Sequence, residues 1–284
     1  MSSLPPSGSA WNPEPWPGAQ SRRPGDKVPA PLSDPLVPPD LRGWIDRVAG
    51  VVRRSLVPLV IIQLGVAGVG AVLSYLSGAA LANPTRAAVP GSPAGLLLFL
   101  GLLVALGVGV FAQGASFYLA VRDAAGGPEV TVGEALRFAA RRTPALVGWG
   151  LAAAMLTFFG LMMLIVPGIY LGIVFGATLV GVVLAERAGP ARCFQLVNPR
   201  LWPTVGRMLI AGLVGALYEV VASFVVSALS TPGSVEAVVV SALCSVPLGV
   251  AAVGVAVVTY AELRFHENGA VFTGTLAGEL DRAD

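Results

Sequence analysis

Between Leu56 and Leu263 the chain sustains long apolar runs, separated by short polar stretches in which arginine recurs. A helix rises about 1.5 Å per residue, so crossing a hydrocarbon core of about 30 Å takes about 20 mainly apolar residues. Six segments meet that length: Leu56–Leu76, Ala94–Leu119, Ala145–Val166, Gly168–Ala185, Gly206–Leu229 and Val238–Leu263. They are continuous rather than alternating with period two, unlike the strands of a membrane β-barrel. The pattern predicts an all-α polytopic membrane protein with six transmembrane helices and amphipathic helices at the cytoplasmic interface.

The amphipathic helices precede the odd-numbered spans. Asp40 has the chemistry of an N-cap, and Leu41, Trp44, Ile45, Val48 and Val52 recur at helical spacing opposite Arg42, Asp46, Arg47 and Arg53. Thr131 with Glu134 forms a capping-box pattern, followed by an apolar face of Val132, Ala135, Leu136 and Ala139 with Arg137 and Arg141 on another. A third, less regular helix is expected from Ala191 to Val197, stopped by Asn198 and Pro199. The organisation predicted is a Pro-rich disordered cytoplasmic tail over residues 1–40, a membrane domain over 41–266 and a short polar cytoplasmic tail over 267–284. The first tail carries Pro5, Pro6 and the Trp11 to Trp16 patch but no apolar signal core, so the first span is expected to direct insertion.

Basic residues set the orientation. Arg22, Arg23, Lys27, Arg42, Arg47, Arg53 and Arg54 precede the first span. Arg122, Arg137, Arg141 and Arg142 lie between the second and third, and Arg187, Arg192, Arg200 and Arg207 between the fourth and the foot of the fifth. Arg264 and Arg282 follow the sixth, and the opposite side holds Arg86 alone. This predicts a plasma-membrane protein with both termini cytoplasmic, its interfacial arginines turned to anionic headgroups. Trp44, Tyr118, Trp202 and Tyr260 would mark the cytoplasmic interface and Tyr75 and Tyr170 the outer one. The composition agrees: 55% of residues are hydrophobic and 12% charged, against about 25% charged in soluble domains. Scarce lysine beside abundant Arg, Ala, Gly and Val points to a bacterial genome of high GC content.

Small residues suggest how the spans pack, because in lipid close backbone approach replaces the hydrophobic drive between helices. Gly168, Gly172 and Gly176 put one glycine stripe on the fourth span, facing either another span or a second subunit; Gly212 with Ala216 and Gly70 with Ser74 repeat the spacing. Pro167-Gly168 is expected to separate the third and fourth spans with almost no loop, and Pro247 to kink the sixth by freeing the carbonyl of Leu243. Glu219 is the acidic residue nearest the middle of a span. An ionised carboxylate at that depth costs about 3 kcal/mol on insertion scales, so it needs polar neighbours or a proton. Gln63, Gln113 and Ser223 are the candidate partners. Two readings stay open: a proton- or cation-linked site, or a protonated residue of helix packing.

Other chemistry is scarce. His266 is the single histidine, which excludes histidine-pair metal sites and most His-based dyads. Cys193 and Cys244 form no CxxC, and the glycines fit no phosphate-binding loop. No catalytic residue, cofactor or metal is expected, and no nucleic-acid partner, since there is no basic soluble domain.

The stretches Ile165-Val-Pro-Gly-Ile-Tyr170, Val183-Leu-Ala-Glu186 and Gly189-Pro-Ala-Arg-Cys-Phe-Gln-Leu196 with Trp202 resemble the membrane-domain family associated with glycerophosphoryl diester phosphodiesterases. Tyr260-Ala-Glu-Leu-Arg264 is similar to that family's ending of the last span, and Thr131-Val-Gly-Glu-Ala-Leu136 to its interfacial helix; the likeness covers Leu41 to Leu280. Cys193 departs from the family's usual serine, and Asn198-Pro199 from its basic residue and glycine. The resemblance implies a six-helix module whose fused phosphodiesterase domain, present in some relatives, is missing here. The expected function is a non-enzymatic accessory or scaffolding module in lipid or envelope physiology, with a membrane-protein partner or a second copy. The alternative is a small-solute or lipid transporter with a polar path along Glu219, Gln63 and Gln113 and movement at Pro247. Transport calls for a water-accessible cavity at Glu219; scaffolding calls for Glu219 sealed among helices.

Overall fold

The structure, a computed structural model, describes residues 34–81, 92–231, 233–268 and 271–282. Residues 1–33 and Arg86, on which part of the tail and topology readings fall, lie outside the described residues. The described residues contain helices and no strand. In chain order they are α1 (Leu41–Arg54), α2 (Leu56–Leu81), α3 (Pro93–Ala124), α4 (Val132–Met163), α5 (Ile165–Gly181), α6 (Pro190–Val197), α7 (Leu201–Leu229), α8 (Val235–Asn268) and α9 (Thr273–Asp281). A π turn, Val182–Glu186, prolongs α5, and a 3₁₀ turn, Asn198–Arg200, joins α6 to α7. Six segments, built on α2, α3, α4, α5, α7 and α8, are long and apolar enough to cross a bilayer. The chain is an all-α polytopic membrane protein.

Helix α8 is the hub, packed against α1, α2, α3, α5 and α7, while α2, α3, α4 and α5 follow one another around it. α7 stands at the side, touching chiefly α8. An even number of crossings brings the beginning and end of the described chain to one end of the bundle. There Asp34 accepts from the Thr273 hydroxyl at 2.7 Å and its amide at 3.1 Å. We call this the charged end, and the end holding the α4–α5 and α7–α8 turns the far end.

Local chemistry explains the helix starts. Asp40 Oδ1 accepts the Gly43 amide at 2.6 Å and opens α1. Thr131 and Glu134 form both halves of a capping box at the start of α4. Their helix runs unbroken from Val132 into the third span, so the interfacial helix expected there is not separate. Pro144 removes one amide from the ladder without ending it, and the Thr143 hydroxyl donates to the Ala139 carbonyl at 3.0 Å beside it.

The α4–α5 break falls at Leu164, which is extended, rather than at Pro167. Pro167 sits in the first turn of α5, where amides have no intrahelical acceptor and a proline costs nothing. The hairpin is as tight as expected. A Cβ at Gly168 would stand 2.5 Å from the backbone nitrogen of Leu161, so only glycine lets the helices meet there. Within the stripe, Gly168 and Gly172 face α4 through Leu161 and Thr157, whereas Gly176 borders an open groove. Pro247 lies within α8, which continues past it. The Tyr218 hydroxyl from α7 donates to the nearby Cys244 carbonyl at 2.7 Å.

Three further expectations are corrected. Leu36 and Val37, placed in the disordered tail, are fully buried, and Asp34 Oδ1 accepts both their amides at 2.9 Å. The second tail forms α9, whose Leu276 and Leu280 join the core; a four-residue apolar spacing was hidden in a short polar stretch. α6 folds back along α5 instead of lying at the interface. Cys193, Leu196 and Val197 are buried, Phe194 packs on Tyr170 and Phe175, and the Tyr170 hydroxyl donates to Asn198 at 2.7 Å.

Candidate functional site

Glu219 projects from α7 and is exposed. It lines a groove of about 300 Å³ between α7 and the first half of α8, with Ser223, Ser227, Ser230, Ser241 and Cys244. The serine hydrogens are largely committed: Ser223, Ser227 and Ser230 donate to the carbonyls of Val220, Phe224 and Val226. These serines turn acceptor lone pairs to the groove, which leaves it short of donors. A protonated Glu219, or a donor from outside the chain, would match them.

Gln63 and Gln113 do not join this site. Gln63 is 7% exposed and packs onto the opposite flank of α8, where a Cβ at Gly249 would stand 2.5 Å from its Oε1. Its Nε2 is buried without an acceptor among the described residues. Gln113 is half-buried on α3. Neither lines the Glu219 groove, so the three residues form no continuous polar path. Below Glu219, between α7 and the pair α1 and α8, runs a larger groove of about 580 Å³ lined by Trp44, Val48, Gly215, Tyr218, Pro247 and other apolar residues.

The second polar assembly sits at the charged end and was not anticipated from the sequence. The π turn and the left-handed Arg187 (φ 53°) re-aim the chain at the end of α5, and Glu186 becomes the centre of an ion-pair network. Glu186 Oε2 lies 2.6 Å from Arg192 Nε and 3.0 Å from Arg264 Nη1, while Oε1 accepts the Tyr260 hydroxyl at 2.9 Å. Arg192 also grips Glu267 with two parallel bonds of 2.6 and 2.5 Å, and Arg264 reaches Glu279 of α9 at 2.8 and 3.0 Å. Beside it Arg207 of α7 pairs with Glu262, which is 2% exposed. The one signal available was the density of carboxylates near arginines in Glu186 to Arg192 and Glu262 to Glu267, and topology had accounted for those arginines.

The aromatic residues follow the network. Tyr260 is fully buried against Gly181, where a Cβ would stand 2.5 Å from the ring, and Trp44 donates its indole N–H to Thr259 at 3.1 Å. Both were expected at the lipid interface; both are interior because their polar tips find acceptors there. Trp202, by contrast, is exposed. Arg192, expected to face headgroups, faces carboxylates instead.

His266 stands 3.9 Å from Glu262, and Cys193 and Cys244 are both free. Among the described residues no three of His, Cys, Asp and Glu are grouped to share a metal ion. Compared with protein-family models, with curated proteins and with solved structures, the chain matches none.

Proposed function

We propose that this protein is a non-enzymatic accessory or scaffolding module of the plasma membrane, with both termini cytoplasmic, that docks another membrane helix along α7 and α8. The observation that carries this reading is the exposed Glu219 in its serine-lined lateral groove. One copy of the chain leaves open the seal that scaffolding calls for, and a partner helix bearing a polar side chain would complete it. Desolvating a carboxyl group toward lipid is costly, and interhelical hydrogen bonds are the usual remedy. The locked charged end supports the same reading, since it holds α7 to the bundle through Arg207 and Glu262. The likeness to the phosphodiesterase-associated membrane module belongs to this proposal and adds lipid or envelope physiology as its setting.

A second reading, transport of a small solute or lipid, is favoured by the openness of the same groove. Native Cys244 lines it, while Cys193 is buried. The test labels the protein in its own membrane with a charged, membrane-impermeant thiol reagent. Scaffolding expects Cys244 to be protected, and to become reactive when detergent strips the partner away. Rapid labelling in the intact membrane, together with a proton or solute flux abolished by Glu219→Gln in liposomes, would replace scaffolding with transport.

A further inference from the structure

We infer that the partner seated in the Glu219 groove is a transmembrane helix of another protein, carrying a lysine or arginine at mid-membrane depth; this rests on the helix docking proposed above and names the partner's chemistry. Glu219 stands near the middle of the apolar run Gly206–Leu229 and is exposed. Among the described residues it has neither a hydrogen bond nor an ion pair. The donors around it are already engaged. Its neighbour Tyr218 donates to the Cys244 carbonyl at 2.7 Å, and Ser223, Ser227 and Ser230 donate to carbonyls of their own helix.

A carboxylate at that depth needs a cation or a proton, and charges within membranes pair with one another. A second copy of this chain cannot supply the cation. Within its six apolar segments the basic residue is Arg207 alone, at the foot of α7, and it is committed to Glu262. Two copies meeting groove to groove would bring carboxylate to carboxylate, which like charge disfavours. An acyl chain would leave Glu219 and the serine oxygens unpaired against hydrocarbon. The walls suit a helix instead: Glu219, Ser223 and Ser227 recur every four residues along α7, facing a groove whose other side is Ala237, Ser241 and Cys244 of α8. From Glu219 to Ser230 the seat runs about three turns, or roughly 16 Å. Its small side chains let another backbone come close. An ammonium or guanidinium at the level of Glu219 would meet the carboxylate, and the serine lone pairs would accept its remaining hydrogens.

The probes are three synthetic transmembrane peptides of leucine and alanine that differ at one central position, which bears lysine, glutamine or leucine. The full chain is purified and reconstituted with each in phosphatidylcholine liposomes. Protection of Cys244 from a lipid-soluble thiol reagent reads occupancy, since Cys244 lines the groove and Cys193 is buried. The lysine peptide should protect at a concentration at least fivefold lower than the other two, and Glu219→Gln, which keeps the size and removes the charge, should erase that preference. Glu219 is exposed, so the substitution leaves the packing intact. The inference is overturned, with helix docking left standing, if the glutamine or leucine peptide protects as well as the lysine peptide, or if the lysine preference survives Glu219→Gln. It is overturned in favour of a second copy if Cys244 becomes protected without peptide as the protein-to-lipid ratio rises. If no peptide protects Cys244 the inference also falls, and labelling in the protein's own membrane then decides helix docking separately.

Discussion

The two ends of the bundle are built from different physics. At the charged end, carboxylates, arginines and hydroxyls from α5, α6, α7, α8, α9 and the segment before α1 satisfy one another around a packed interior. At the far end grooves open on both sides of α8, and apolar side chains project outward, Met163 at 84% exposure being the extreme. The same helices run through both, so the contrast is not one of helix type. Lipid is as apolar as leucine and gives α7 no reason to close on α8 along its length, whereas each arginine needs an acceptor. The bundle is therefore clamped at one end and grooved along its flanks at the other.

The sharpest way to break this comparison is to remove a member of the clamp. Arg264 is 8% exposed at its side chain and joins Glu186 to Glu279. Arg264→Ala strips Glu279 of its arginine and leaves Glu186 with Arg192 alone, and should cost about 3–5 kcal/mol. Thermal unfolding in detergent, followed by circular dichroism, checks this; an unchanged midpoint would mean the network is ornamental. A smaller effect is expected at Asp34, which ties the segment before α1 to the start of α9. Asp34→Ala should cost about 1.5–3 kcal/mol for the lost charge-assisted bonds. Hydrogen exchange should localise the loss to residues 273–281. The smallest effects belong to the far end. Glu219→Gln and Phe224→Ala point outward and should change stability by no more than about 0.5 kcal/mol. A loss there equal to that of Arg264→Ala would show that the two ends are not different in kind.

Pro167 and Glu219 show how far local sequence carries. The tight α4–α5 hairpin followed from a proline and a glycine, but the turn itself lies three residues earlier, because a proline is harmless in a first helical turn. Glu219 stood out by its depth, yet its proposed partners Gln63 and Gln113 sit elsewhere, since residues on different spans have no register along the chain. Asp34 and Glu279 were not singled out from the sequence, and Glu186 entered only as the end of Val183-Leu-Ala-Glu186. Each matters through a contact 15 to 239 residues away.

By itself the sequence determined the six apolar segments, the caps at Asp40 and Thr131, the closeness of α4 to α5 and the clustering of arginine toward one end. All of these rest on forces that act within a few turns of helix: hydropathy against bilayer thickness, the unpaired amides of a first turn, the backbone limits of proline and glycine. Tertiary structure alone decided which arginines meet carboxylates, that α6 folds back and α9 docks, and that Glu219 opens to the flank. Those outcomes depend largely on pairing distant charges in a medium that penalises leaving any of them alone: Glu186 and Arg192 share one short stretch, but Arg264 and Glu267 reach them from elsewhere in the chain, and Glu279 joins through Arg264.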